Sequence, residues 1–268
     1  MKHPPLLLVS TDSYADTWEI FFQMFNRYFP DFNGHKFLIT ETCDFFFNGV
    51  NVIKTQTDSN LQRPAWGECL MMALKEINSD EVFLVLDDFI LVSNVDNRKY
   101  NDAYSFFKEN SCDFLTLAVH DFKRKSIKSN DLKQFVRVKQ ITPYRITTTP
   151  GFWKTQSLLS YLSPALNPWQ FEILGSIKSY FRRDIFYMLN YMVFNRENEI
   201  FPYYFSNNLD TAIVRGKWQI DACEKFPEFS DKIMERGLME PYVIHKSKTF
   251  SKVFSNPLFV IKYIIGLK

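Results

Sequence analysis

Two adjacent carboxylates, Asp87 and Asp88, end the apolar run Val82-Phe83-Leu84-Val85-Leu86. Such a β-branched and aromatic run reads as a strand buried on both faces. Ionised carboxylates are too costly to bury unpaired, so the chain must leave the sheet at this pair. In open α/β sheets, ligands bind at the carboxyl ends of the strands. Two hard oxygen donors there suit Mg²⁺ or Mn²⁺, which keeps several waters and is commonly shared with substrate phosphates. The plainer alternative is that Asp87 and Asp88 open a turn or cap a helix near Asn97.

Other side chains fit the same chemistry. Thr11, Asp12, Ser13 and Tyr14 follow a short apolar run, Leu6–Val9. Their hydroxyls, carboxylate and ring can hydrogen-bond to and stack on a nucleobase, and the same residues can cap a helix. Arg63, just ahead of Pro64, is either a phosphate or base contact or a solvated loop arginine. Trp153 and Trp169 follow Gly and Pro turns, where an aromatic ring serves as a sugar platform or as core. Trp66 shares a helical face with Leu70 and Ala73 and reads as core. Lys154, Arg215 and Lys217 stand near turns and can clamp a diphosphate or simply face solvent. Gly216 would permit close backbone approach to a ligand beside the last two. None of the four histidines has zinc-ligand spacing, although His245 can be imagined completing a metal site.

The elements that must carry these groups alternate in the first half. Leu6–Val9, Lys36–Thr40, 50–54, Val82–Leu86 and 114–118 predict strands. Helices are predicted over 17–28, from Pro64 through Ile77, and over 98–109. This β-α-β order predicts an α/β fold, a mixed but mainly parallel sheet flanked by helices. Beyond it, 135–138 and 144–148 predict a short antiparallel excursion, 155–162 and 169–189 helices, 201–205 and 211–214 short strands, and 221–236 a helix. The 28 Phe against 8 Gly predict an aromatic-rich core. A net charge of +2 argues against nucleic acid as a partner. Cys43, Cys69, Cys112 and Cys223 form no C-x-x-C pair and read as reduced thiols of a cytoplasmic protein.

The ordered set Ser10-Thr11-Asp12-Ser13-Tyr14, Arg63-Pro64-Ala65-Trp66-Gly67-Glu68, Leu86-Asp87-Asp88-Phe89, Pro150-Gly151-Phe152-Trp153-Lys154, Asn167-Pro168-Trp169-Gln170-Phe171-Glu172 and Val214-Arg215-Gly216-Lys217-Trp218 resembles the GT-A type glycosyltransferases of bacterial surface-polysaccharide assembly. It is similar to the branch that builds lipopolysaccharide O-antigen or capsule sugars, over about Leu6 to Glu240. The resemblance implies a GT-A-like (Rossmann-like) domain that uses Mn²⁺ or Mg²⁺. Its donor would be a nucleotide-diphosphate sugar and its acceptor a saccharide or lipid-linked molecule. Asp87 and Asp88 would take the metal and Asp87 also the donor ribose, although Asp-Asp departs from the commoner Asp-x-Asp of the family. Thr11 to Tyr14 and Arg63 would hold the nucleotide, and Trp153, Lys154, Trp169, Arg215 and Lys217 the diphosphate and acceptor. Glu172, one turn into a helix opened by Pro168, resembles the general base of an inverting enzyme; a first-turn Glu also opposes the helix dipole without catalysing anything. Asp121 and Asp210 are the next carboxylates in line.

Two other functions fit the same features. A nucleotidyltransferase also joins an α/β sheet to carboxylates and Mg²⁺, but Ser10–Asp16 lacks the Gly-rich phosphate loop of that class. A carbohydrate- or nucleotide-binding module would keep the tryptophans and dispense with the carboxylates. Phosphate-loop, dinucleotide-binding and α/β-hydrolase motifs are absent from the sequence. The expected organisation is one domain over 1–249 and an apolar, basic tail over 250–268. That tail either contacts the cytoplasmic face of the inner membrane peripherally or docks on the core as a last helix.

Overall fold

Successive residues of the first strand bury opposite faces, and this divides the core in two. The computed structural model describes residues 2–56, 62–119, 133–205, 211–239 and 256–266. The strands are β1 (Leu6–Val9), β2 (Lys36–Thr40), β3 (Val50–Lys54), β4 (Glu81–Leu86), β5 (Phe114–Thr116), β6 (Phe135–Arg137), β7 (Gly151–Lys154) and β8 (Phe186–Leu189). They form one sheet in the order β3-β2-β1-β4-β7-β5-β8-β6. β7 pairs antiparallel with both β4 and β5, and β6 antiparallel with β8; the remaining pairs are parallel. The fold is α/β with a mixed, mainly parallel sheet flanked by helices.

Leu6, Leu8, Phe83 and Val85 face α1 (Ala15–Tyr28) and α3 (Asn97–Glu109). Leu7, Val9, Val82 and Leu84 face α2 (Trp66–Ile77), α4 (Thr155–Tyr161) and α5 (Pro168–Tyr180). The first of these layers is dense in aromatic rings: Phe25, Phe29, Phe32, Tyr100 and Phe83 meet edge-on or tilted at 4.8–6.4 Å. Asp96 caps α3 by accepting from the backbone N–H of Arg98 and Lys99 at 3.0 and 3.1 Å.

The second half departs from the sequence pattern in five places. Residues 144–148 form turns, and β6 pairs instead with β8, far along the chain. Gly151–Lys154 is a central strand whose apolar residues are too few to announce it. The helix expected over 169–189 stops at Tyr180, and Phe186–Leu189 crosses into the sheet. The helix expected over 221–236 is broken at Pro227 into α6 (Ala222–Lys225) and α7 (Ser230–Arg236), because Pro cannot donate to a helical ladder. Residues 201–205 make a single bridge, Tyr203 to Leu91. The chain then forms the hairpin β9 (Ile213–Val214) and β10 (Lys217–Trp218). His120, Asp121, Asp210 and His245 lie outside the described residues.

Candidate functional site

Where β1 and β4 run side by side, β1 leads on to β2 on one flank of the sheet and β4 to β5 on the other, and a crevice opens beyond their carboxyl ends. The register pairs Val9 with Leu86, so the next residues, Ser10 and Asp87, emerge as neighbours. The Ser10 hydroxyl donates to Asp87 Oδ2 and accepts a 2.6 Å bond from the buried indole N–H of Trp18. Asp88 is held from the other side by the Thr211 hydroxyl at 2.6 Å. Burial pushes the Asp87 carboxyl up to about 8, and the Asp88 charge pushes the same way. The Ser10 hydrogen bond and the charge of Arg236 oppose that shift. Two adjacent carboxyl groups, each resisting the other's ionisation, are a fitting seat for a hard divalent cation. Among the described residues, no third His, Cys, Asp or Glu joins them.

The crevice holds two adjoining cavities that share Val9, Ser10, Thr11 and Trp66 as walls. One, of about 280 Å³, is lined by Asp87, Asp88, Tyr14, Trp169 and Glu172. The other, of about 320 Å³, is an apolar slot of Pro64, Ala65, Cys69 and Leu166, with Arg63 and Glu41 beside it. Trp66, expected in the core, is half-buried and presents an edge to both cavities. Gly67 lets α2 approach the backbone of 163–166 closely: a Cβ there would lie 2.2 Å from the Ser163 carbonyl oxygen, and its N–H donates to Leu166 O at 2.9 Å.

Glu172 reaches the first cavity from α5, whose start is fixed by Pro168 and a reciprocal Asn167–Gln170 capping box. One oxygen, Oε1, accepts from the Thr148 N–H at 2.7 Å, the Thr148 hydroxyl at 2.9 Å and the Thr147 hydroxyl at 3.1 Å. With Oε1 so anchored, Oε2 is left for the cavity. Trp169, three residues earlier, is 64 % exposed beside it.

The loop after β1 is locked rather than open. Burial alone would raise Asp12, but hydrogen bonds from Thr42 N and Oγ1, Glu41 N and Cys43 N together hold it at about 2. Glu41 in turn accepts from the Asp12 N–H and pairs with Arg63 Nη2 at 2.6 Å. Asp12 is therefore a latch between the β1 and β2 exits, and Arg63 is an ion-paired cavity wall. Thr11 and Ser13 share a 2.7 Å hydroxyl contact, and Thr11 and Tyr14 face the carboxylate cavity.

Four expected contacts are corrected. Trp153 is fully buried and stacks on Phe114 at 4.3 Å; it is core, not a sugar platform. Lys154 lies opposite Glu81, the first residue of β4, at the far end of the sheet from Asp87. Arg215 and Gly216 are the two turn residues of the β9–β10 hairpin, both at positive φ, +53° and +80°. Among the described residues nothing approaches within 4 Å of where a Gly216 Cβ would stand, so it is the positive φ of the turn, and no close packing, that calls for the glycine. Arg215 and Lys217 are exposed, and neither lines the cavities.

A second cation that approaches this region, besides Arg63, is Arg236, at the end of α7. Its guanidinium lies 4.7 Å from the Tyr14 ring centroid, donates to Ser13 O at 2.6 Å and pairs with Asp16. Two further pairs, Lys232–Glu19 and Glu228–Arg27, continue along α1 and tie the segment from Pro227 to Arg236 against it. Separation in sequence hid Arg236, and only the helical spacing of these charges hinted at it. Ser10 and Thr211 were likewise unremarkable in the sequence.

No family model matches the chain, and no curated protein matches it. Among solved structures, S. aureus TarS 1–349 is similar, with a TM-score of 0.47 and 15 % identity, over 70 % of this chain and 58 % of that one. The same protein in complex with UDP-GlcNAc gives 0.45 and 14 %, over 77 % and 62 %. A UDP-glucose pyrophosphorylase complexed with UDP-glucose gives 0.47 and 10 %, over 71 % and 90 %. The chain thus spans about three fifths of the TarS fragment.

Proposed function

We propose that this chain is an inverting glycosyltransferase that moves a sugar from a nucleoside-diphosphate donor to a saccharide or lipid-linked acceptor. Its place would be cytoplasmic, in the synthesis of a surface polysaccharide such as lipopolysaccharide O-antigen or capsule. The observation that carries the reading is the pair of joined cavities at the β1–β4 crevice, one apolar and one lined by Asp87, Asp88 and Glu172. A nucleotide sugar has the same two-part character, a flat base at one end and a polar diphosphate and sugar at the other.

In this reading the base lies in the slot beside Trp66 and Pro64, near the Arg63–Glu41 pair. Asp87 and Asp88, oriented by Ser10 and Thr211, would hold Mn²⁺ or Mg²⁺. Bound there, such an ion would supply positive charge for the departing diphosphate. Trp169 offers an apolar face to the acceptor sugar. The acceptor hydroxyl oxygen bonds to the anomeric carbon as the carbon–oxygen bond to the diphosphate breaks, and Glu172 Oε2 takes the hydroxyl proton. The hydrogen bonds on Oε1 fix the direction of the carboxylate.

The rival nucleotidyltransferase reading needs a loop of free backbone N–H groups after β1 to cradle a triphosphate. Here that loop is a 3₁₀ turn, Asp12–Tyr14, latched to the β2 exit. Thermal denaturation with UDP, GDP or CMP, each with and without Mn²⁺, tests the proposal, followed by turnover of a donor panel. One nucleotide should stabilise only with metal, and its sugar derivative should release nucleoside diphosphate when acceptor is present. Pyrophosphate release from a nucleoside triphosphate and a sugar 1-phosphate would establish the rival, and indifference to every nucleotide would leave a non-catalytic module.

A further inference from the structure

The C-terminal helix, Pro257–Ile265, has two apolar faces and only one of them is covered. Asn256 caps it by accepting from Phe259 N at 3.1 Å, and Gly266 ends it at φ +77°. Its inner face docks on α5: Val260 and Tyr263 are buried, and the Tyr263 hydroxyl donates to Tyr161 O at 2.5 Å. Lys178 lies 4.5 Å from the Tyr263 ring centroid. The outer face carries Leu258, Ile261 and Ile265, 73 %, 55 % and 61 % exposed, at the three-and-four spacing that aligns side chains along one stripe.

We propose that this outer stripe is a docking surface for an anionic lipid bilayer, engaged while the inner face stays on α5. Charge supplies the second half of the argument. From Pro241 to Lys268 the chain carries Lys246, Lys248, Lys252, Lys262 and Lys268 and no Asp or Glu, in a protein whose overall formal charge is only +2. An exposed aliphatic stripe within a stretch of sequence that carries lysines and no acidic residue matches the interface of an anionic membrane, where aliphatic chains enter the acyl boundary and ammonium groups meet headgroup phosphates. An acidic peptide would answer the lysines and leave the aliphatic stripe wet. Among the described residues no helix is long and apolar enough to cross a membrane, so the contact is peripheral. The proposal stands independently of the transferase reading.

The test is flotation of the full chain with vesicles of phosphatidylcholine alone or of phosphatidylcholine and phosphatidylglycerol in equal parts. Wild type should float only with the anionic vesicles, and added salt should weaken the binding. The triple variant Leu258→Ser, Ile261→Ser, Ile265→Ser should lose affinity by roughly 100-fold. Its melting temperature should hold, because those side chains already face solvent. Tyr263→Ala, on the inner face, should lower the melting temperature instead. Equal flotation with neutral vesicles, or a triple variant that floats like wild type, would overturn the proposal. So would a concentration-dependent dimer that the triple variant abolishes, since a second copy would then be what covers the stripe.

Discussion

Asp87→Asn separates the chemistry of the carboxyl pair from its cost to the fold. Burial and the Asp88 charge raise the Asp87 carboxyl from 3.8 to about 8. Between those values the native protein keeps a proton that the unfolded chain gives up, so stability falls as pH rises through the window. The full interval sets a ceiling of about 5–6 kcal/mol. Asp87 is only half-buried beside an open cavity, and solvent screening reduces this to about 2 kcal/mol. Asn keeps the shape and can still accept from Ser10. The variant should therefore melt with wild type at about pH 4 and, by about pH 8, melt roughly 4–6 °C higher. Thermal denaturation by circular dichroism across this pH range measures the difference. Mn²⁺ should stabilise wild type at the upper end and leave the variant unmoved, while the variant loses transfer despite its greater stability. Melting curves that coincide at every pH, or an Asn variant less stable than metal-free wild type at about pH 8, would refute the reasoning.

Glu172→Gln should keep donor and Mn²⁺ affinity while single-turnover transfer slows by roughly 100-fold or more, the scale of a lost general base. Trp153→Ala should cost about 3–5 kcal/mol in denaturant titration, as expected for a buried ring removed from the core. Trp169→Ala should stay within about 0.5 kcal/mol of wild type and instead raise KM for the acceptor. Asp12→Asn tests the latch. Because the native carboxyl is held down at about 2, its stabilisation is present above about pH 4 and disappears as pH falls through that interval. After discounting for solvent, wild type should lead the variant by about 1–2 kcal/mol at about pH 7, with the gap closing in acid.

The first half of the fold could be read from the sequence because its strands are short β-branched, leucine-rich or aromatic runs and its helices carry clean amphipathic patterns. Leu6–Val9, Lys36–Thr40 and Val50–Lys54 carry their own boundaries. The second half could not, since its strands find partners across long stretches of chain: β7 inserts between β4 and β5, and β6 waits for β8. Four residues of β7 contain too little periodicity to separate a strand from a turn, and so Trp153 looked like a platform. In the site, the visible groups were those next to a strand end or a helix start, namely Asp87, Asp88, Tyr14, Trp169 and Glu172. Arg236 and Thr211 arrive from a distant segment, and no local pattern announces a long-range contact. Arg215 and Lys217 misled because Gly216 suits a tight turn as well as a ligand.

The three ion pairs between α1 and the Pro227–Arg236 segment work as a vernier. Along α1 the charges run Asp16, Glu19, Arg27, and along the partner Arg236, Lys232, Glu228. A shift of the segment by one rung breaks all three pairs and leaves one opposite-sign pair, Asp16–Lys232 or Glu19–Arg236, against one like-sign pair, Glu19–Glu228 or Arg27–Lys232, whereas a greasy contact would tolerate sliding. Exposed pairs add little to the depth of the native well, so their effect lies in where the segment comes to rest. With Arg236 as its last rung, the position of that guanidinium over Tyr14 is defined to less than a turn. Rising ionic strength should blur this alignment well before it unfolds the protein, and activity should then decline with salt while the melting temperature holds.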